Sequence, residues 1–195
     1  MCEGIEKMYY IPYYGNNMPM YNYGDQLVYW APPYQTGYAN RAEPSHFSNG
    51  GRIELKDYGD QPLVINLENA TKQNDTYRTA LWTGKNLQVT LMSINVGDSI
   101  GLEVHPNVDQ FLYIEQGEGY AQMGQSKNNL NYERRVYENY AVVVPAGTWH
   151  NVTNTGNMPL KLYSIYAPPN HPFGTVHVTK ADAEASEAGY GQGNQ

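Results

Sequence analysis

Residues Gly97–Gly119 read GDSIGLEVHPNVDQFLYIEQGEG, and this stretch decides what kind of fold the chain builds. Glu103 and His105 stand two apart. On an extended segment such residues share a face, so a carboxylate and an imidazole point the same way. A turn through Pro106-Asn107-Val108 follows, and Asp109 and Gln110 open the next strand. Along that strand Gln110, Leu112 and Ile114 share one face, and Phe111 and Tyr113 the other. Further on, Pro145–Asn154 reads PAGTWHNVTN, where a Pro-x-Gly turn delivers His150 to the start of another strand. Two imidazoles with carboxylate or amide oxygens on facing strands suit Zn, Fe, Mn or Ni. The mouth of a barrel is where such a cluster stays open to a ligand.

The surrounding sequence has the period of short strands. Leu87, Val89 and Leu91 alternate with Gln88 and Thr90. Strand runs are expected at 77–82, 87–96, 102–105, 110–116, 120–123, 132–137, 140–144, 151–153 and 160–166. Turn signals such as Gly97-Asp98, Gly117-Glu118-Gly119 and Pro145-Ala146-Gly147 divide them. Residues 62–72 read as a short strand and then a helical turn, 124–131 as a long hairpin loop, and 180–188 as a short helix. Many short strands at this spacing predict an all-β sandwich or barrel.

The two quoted stretches resemble the paired motifs of the cupin superfamily. Gly97, His105 and Gly117 match the first motif, and Pro145, Gly147, His150 and Asn154 match the second. Three positions depart from the pattern. Glu103 stands where the first His belongs, Gln110 where the Glu belongs, and Asn139 where the second motif opens with Gly. The resemblance implies a double-stranded β-helix, or jelly-roll, barrel over residues 60–185. It implies a divalent metal held by Glu103, His105, Gln110 and His150, with Glu103 restoring the charge that Gln110 lacks, and it implies a homodimer. The run Glu-Val-His, Asp-Gln-Phe, Pro-Ala-Gly-x-x-His-Asn is similar to a branch of small bacterial cupins often labelled as related to mannose-6-phosphate isomerase.

The totals bound the rest. The chain has 195 residues with a net charge of −7 and 12 Lys+Arg, which gives no electrostatic footprint for nucleic acid. No apolar run is long enough to span a membrane. Glu3 and Glu6 sit where a secretory leader would be apolar, and Cys2 is the only cysteine, so a cytoplasmic protein without disulfides is expected. Residues 1–50 hold nine of the 19 tyrosines, interleaved with Pro, Met, Gly and Asn. This arm reads either as a flexible low-complexity segment or as one that drapes over a barrel through its tyrosines. Residues 186–195 read as a flexible tail.

Three functions are compatible with these residues. One is a metal-dependent enzyme on a small polar molecule such as a sugar or sugar phosphate, an isomerase or epimerase with Glu103 or Asp109 as the base, or a dioxygenase if the metal is iron. A second is binding of a small molecule without turnover. A third is a structural role in a coat-like assembly, such as that of a spore, suggested by the arm's composition. Asp109 is also a candidate to orient a ligand histidine. His171 and His177, flanking Pro172-Phe173-Gly174, are expected to be satisfied surface histidines rather than ligand contacts, Arg78 to form a surface salt bridge, and His46 to lie in a loop. A chain beginning at Gly51 is expected to keep the barrel's circular dichroism spectrum but to change its association, as read by light scattering.

Overall fold

The computed structural model describes residues 52–190, with side chains through Ser186. The Tyr-rich arm, His46 within it, and residues 191–195 lie outside that range. The elements run α1 (Leu67–Gln73), β1 (Arg78–Thr83), β2 (Gln88–Ile94), β3 (Asp109–Gln116), β4 (Glu118–Gly124), β5 (Tyr132–Tyr137), β6 (Ala141–Val144), β7 (Trp149–Asn154), β8 (Leu160–Ala167), β9 (Val176–His177) and α2 (Lys180–Tyr190). Every strand pairing is antiparallel. Six strands form one sheet in the order β6-β3-β8-β2-β1-β9, and three form a second in the order β5-β4-β7. This is the expected all-β double-stranded β-helix.

The register explains why the interior is apolar at one end and polar at the other. Side chains on one face of adjacent strands stack in rows. Ile94 faces Leu160, and Met92, Leu162 and Ile114 form the next row. Thr90, Ser164, Leu112 and Val142 come next, and Gln88, Tyr166, Gln110 and Val144 complete the set. The apolar rows close against Ala121, Val136 and Val152 of the smaller sheet to make the main core. The polar rows lie toward the two imidazoles. The other face of the large sheet carries Leu91 and Val89, covered by Ala70, Leu67 and the segment from Ile53.

Turn chemistry sets the ends of the strands. Gly97, Gly117 and Gly147 all have positive φ. At Gly117 a Cβ would also stand 3.2 Å from the Leu160 backbone. Asn139, which replaces a motif glycine, has φ 70°. Asparagine tolerates this left-handed region better than other side chains do, so the turn survives the replacement. Asn154 fixes the other end of the barrel. Its Nδ2 donates to the carbonyls of Ile94 and Met158, each at 2.9 Å, and its Oδ1 accepts from Gly156 N.

Three expectations are corrected here. Residues 102–105 are no strand, because only Glu103 pairs, in a single bridge to His150. Gly101, at φ 91°, bends the chain before it, and Pro106 lacks the N–H to extend it. Residues 62–66 alternate between half-buried and exposed side chains as a strand would, but among the described residues no ladder partner lies beside them, and α1 follows directly. Arg78 is buried at 1% exposure rather than paired on the surface. It lies on β1 opposite Met92 and His177, with its guanidinium 5.6 Å from the Tyr77 ring centre. Thr179 and Asp182 cap α2 reciprocally, Thr179 N donating to Asp182 Oδ2 and Asp182 N to Thr179 Oγ1. The helix runs through Tyr190.

Leu112 sits at the boundary between the apolar and polar rows with no exposure. Leu112→Ala is expected to lower unfolding stability by about 3 kcal/mol, measured by urea denaturation.

Candidate metal centre

Backbone hydrogen bonds bring the two sequence motifs together. Glu103 N donates to His150 O at 3.0 Å, and His150 N donates to Glu103 O at 2.9 Å. One turn further, Gly147 N donates to His105 O at 2.8 Å. Glu103 and His150 therefore face each other, and His105, two residues on, falls on the same side. The three side chains are 16%, 1% and 12% exposed for Glu103, His150 and His105. Glu103 Oε1 lies 3.2 Å from His150 Nε2 and 3.3 Å from His105 Nε2. The imidazole centres are 5.5 Å apart at 56°.

Burial by itself would raise the Glu103 carboxyl. The hydrogen-bonding and charge interactions with the two imidazoles outweigh that and hold it well below the usual carboxylate range. The tautomer of His150 follows from its neighbours. Its Nδ1 lies 3.0 Å from Thr148 O. A carbonyl only accepts, so Nδ1 carries the proton and donates it there. Nε2, the ring's other nitrogen, is aimed at the Glu103 carboxylate, where it would reach a cation held by that carboxylate. One ligand atom from each of Glu103, His105 and His150 lies within 4.8 Å of the others, a group able to hold a metal ion.

Gln110, the fourth residue of the expected set, is 2% exposed and lies in the row with Tyr166 and Val144. Its Nε2 donates to Ser164 Oγ at 3.0 Å, and its Oε1 is buried with no hydrogen-bond partner among the described residues. Asp109 lies elsewhere. It is exposed, and its Oδ1 accepts from Ala146 N at 2.9 Å. As the residue before Gln110 on β3 it points to the opposite face, where it braces the Pro145–Gly147 turn instead of reaching the ligand atoms.

A cavity of about 500 Å³ opens from Glu103 and His105 toward residues 170–177 and Ser186 of α2. His171 and His177 line it, against the expectation of surface histidines. His171 packs edge-on against Tyr166 with ring centres 5.0 Å apart, and Tyr166 in turn meets His105 at 5.7 Å. Burial, reinforced by the Arg78 charge, pushes His171 down to about 3. Burial and Arg78 lower His177 also. Neither position belongs to a motif, and the Pro172-Phe173-Gly174 turn that folds the chain back past the barrel mouth was the signal available for them.

A cupin domain matches residues 90–166. An uncharacterized protein of Bacillus subtilis strain 168, YrkC, is 61% identical over 186 residues, covering 92% of this chain and all of that one. The chain belongs to the cupins. An uncharacterized protein of Acanthamoeba polyphaga mimivirus is 36% identical over 127 residues, covering 65% of this cupin and 78% of the viral protein. The crystal structure of BH2720 from Bacillus halodurans is 61% identical to it with a TM-score of 0.67, covering 67% of this cupin and 99% of that chain. The cupin match ends at Tyr166, so the cavity wall from Asn170 onward lies beyond it.

Asp109→Ala is expected to lower the thermal midpoint, because the Ala146 N–H loses its acceptor, and to leave metal uptake as in the parent protein. Calorimetry with and without added metal checks both.

Proposed function

We propose that this cupin holds a divalent metal ion with Glu103, His105 and His150, completed by Gln110 Oε1, and uses it to bind a small oxygen-rich molecule such as a sugar or sugar derivative. The observation that carries the reading is the convergence of His105 Nε2 and His150 Nε2 on Glu103 Oε1, with His150 Nδ1 committed to the Thr148 carbonyl. The unpartnered oxygen of Gln110 supports the fourth position. A divalent ion there supplies a Lewis acid for a carbonyl or hydroxyl oxygen. The residues themselves orient that ion, and the wall opposite holds the rest of the ligand.

Turnover of the isomerase or epimerase kind needs a base beside the bound molecule. Glu103 is the only carboxylate lining the cavity among the described residues, and it is engaged by both imidazoles. Asp109 faces away. This favours a second reading, in which the cupin binds its ligand without transforming it. Exchange of a sugar's carbon-bound hydrogen for deuterium in heavy water separates the two, since only an isomerase or epimerase produces it.

His105→Ala and His150→Ala are each expected to abolish metal content in chelator-free preparations that keep a folded barrel, and Glu103→Ala to weaken it. Full metal content in both histidine variants overturns the site. Gln110→Glu should tighten binding by about tenfold, because an anionic oxygen replaces a neutral one. Titration with Mn(II) or Zn(II) measures it. Affinity should fall as pH is lowered, since protons compete for the imidazole nitrogens.

A further inference from the structure

The cavity beside the metal centre has two unlike ends. At one end the residues proposed to hold the ion contribute a single negative charge, that of Glu103, because His105, His150 and Gln110 bind as neutral groups. Against a divalent cation this leaves one positive charge unbalanced in a place where Glu103 and the two imidazoles are at most 16% exposed. Burying an uncompensated charge is costly, so a ligand carrying one negative charge is favoured over a neutral one.

The other end is made by Asn170, His171, Thr175, His177 and Ser186. Among the described residues lining the cavity there is no Lys or Arg. Burial, and after it the charge of the buried Arg78, favours the neutral form of both imidazoles. Amide, hydroxyl and neutral imidazole groups each donate and accept, which matches hydroxyl groups and not a second anion. Arg78, whose charge reaches both imidazoles, does not itself line the cavity, so a phosphate, with a charge near −2, would overshoot the ion's single unbalanced charge or else bring its second charge against neutral side chains.

The wall is also held in place before any ligand arrives. Gln88, fully buried, accepts with Oε1 from the N–H groups of Asn170 (3.2 Å) and His171 (2.9 Å). Its Nε2 donates to His171 O at 2.8 Å. Asp57 Oδ2 accepts from Gly174 N at 2.9 Å and from Thr83 Oγ1 at 2.6 Å. Two anchors thus fix the segment at both ends of its turn, and a preorganised wall avoids part of the ordering cost of binding. The His177 ring is set by Ser186 Oγ at 3.1 Å, which ties the wall to α2.

We infer that the ligand is a small polyhydroxylated monocarboxylate, a sugar acid, bound with its carboxylate toward Glu103, His105 and His150 and its hydroxyls against the wall of Asn170, His171, Thr175, His177 and Ser186. This rests on the metal reading above. A cavity of about 500 Å³ accommodates a molecule of six carbons with its water.

The test uses the full chain loaded with Mn(II), its metal content measured first. Isothermal titration then compares gluconate with sorbitol, which lacks the carboxylate, propionate, which lacks the hydroxyls, and glucose 6-phosphate. Gluconate is expected to bind at least tenfold more tightly than each. His177→Phe, with Ser186→Ala as the second variant, should weaken gluconate by about tenfold, the loss of one or two hydrogen bonds, while metal content and propionate affinity stay unchanged. Metal uptake with glucose 6-phosphate binding as tightly as gluconate, or with propionate binding as tightly, overturns the sugar acid and leaves the metal centre standing. Gluconate affinity unchanged in both variants overturns the wall. A chain that takes up no metal overturns the metal reading and the inference together.

Discussion

The reciprocal pair of backbone hydrogen bonds between Glu103 and His150 is the constraint on which the site depends. It joins residues 47 apart in sequence, on segments that meet again in the bridge of Ser99 to Thr153. Because both bonds are made, the two side chains have no choice but to emerge together, and His105 follows by the two-residue repeat. The Gly147 N–H to His105 carbonyl contact closes the same seam from the other side. A bridge of this kind is local, yet it is buttressed by the larger sheet behind it, where β3 pairs with both β6 and β8.

The interior of the barrel is graded, and the gradation follows from sequence alternation. Four inward rows run across the sheet, the first over β2 and β8 and the other three over β2, β8 and β3. Two are wholly apolar, one mixes Thr90 and Ser164 with Leu112 and Val142, and the last carries Gln88, Gln110 and Tyr166. A barrel with polar groups throughout would lose its core, and one with none would have nothing to orient at its mouth. Gln88 illustrates the compromise. Its amide lies wholly inside, yet all the hydrogen bonds it makes reach outward to Thr83 and to the Asn170-His171 backbone.

Much of this was legible in the sequence for definite reasons. Strand period, turn glycines and the two motifs are local signals, and they sufficed for the fold and for bringing Glu103, His105 and His150 together. Asp109 shows where adjacency misleads. It is next to Gln110 in sequence and, for that very reason, on the opposite face of β3. Arg78 and His171 were misjudged because nothing local announces their burial. Arg78 is enclosed by the inner face of β1 and the return of the chain at β9, and His171 by a fold-back held by Gln88, 83 residues earlier. Contacts of that separation depend on how the barrel closes. Residues 62–66 had the alternation of a strand without, among the described residues, a neighbouring edge to pair with, and a strand requires both.

The division of the cavity between two parts of the chain has a consequence for how such a protein diversifies. The proposed ligand atoms at the barrel mouth come from positions 103 to 150, inside the span that matches the cupin domain, whereas the facing wall comes from 170 to 186, outside it. Changes in the later segment alter what the cavity accommodates without touching the bridge that brings Glu103, His105 and His150 together. The barrel thus acts as a fixed socket and the closing stretch of chain as an interchangeable key, and relatives that share the socket are free to differ in what they hold.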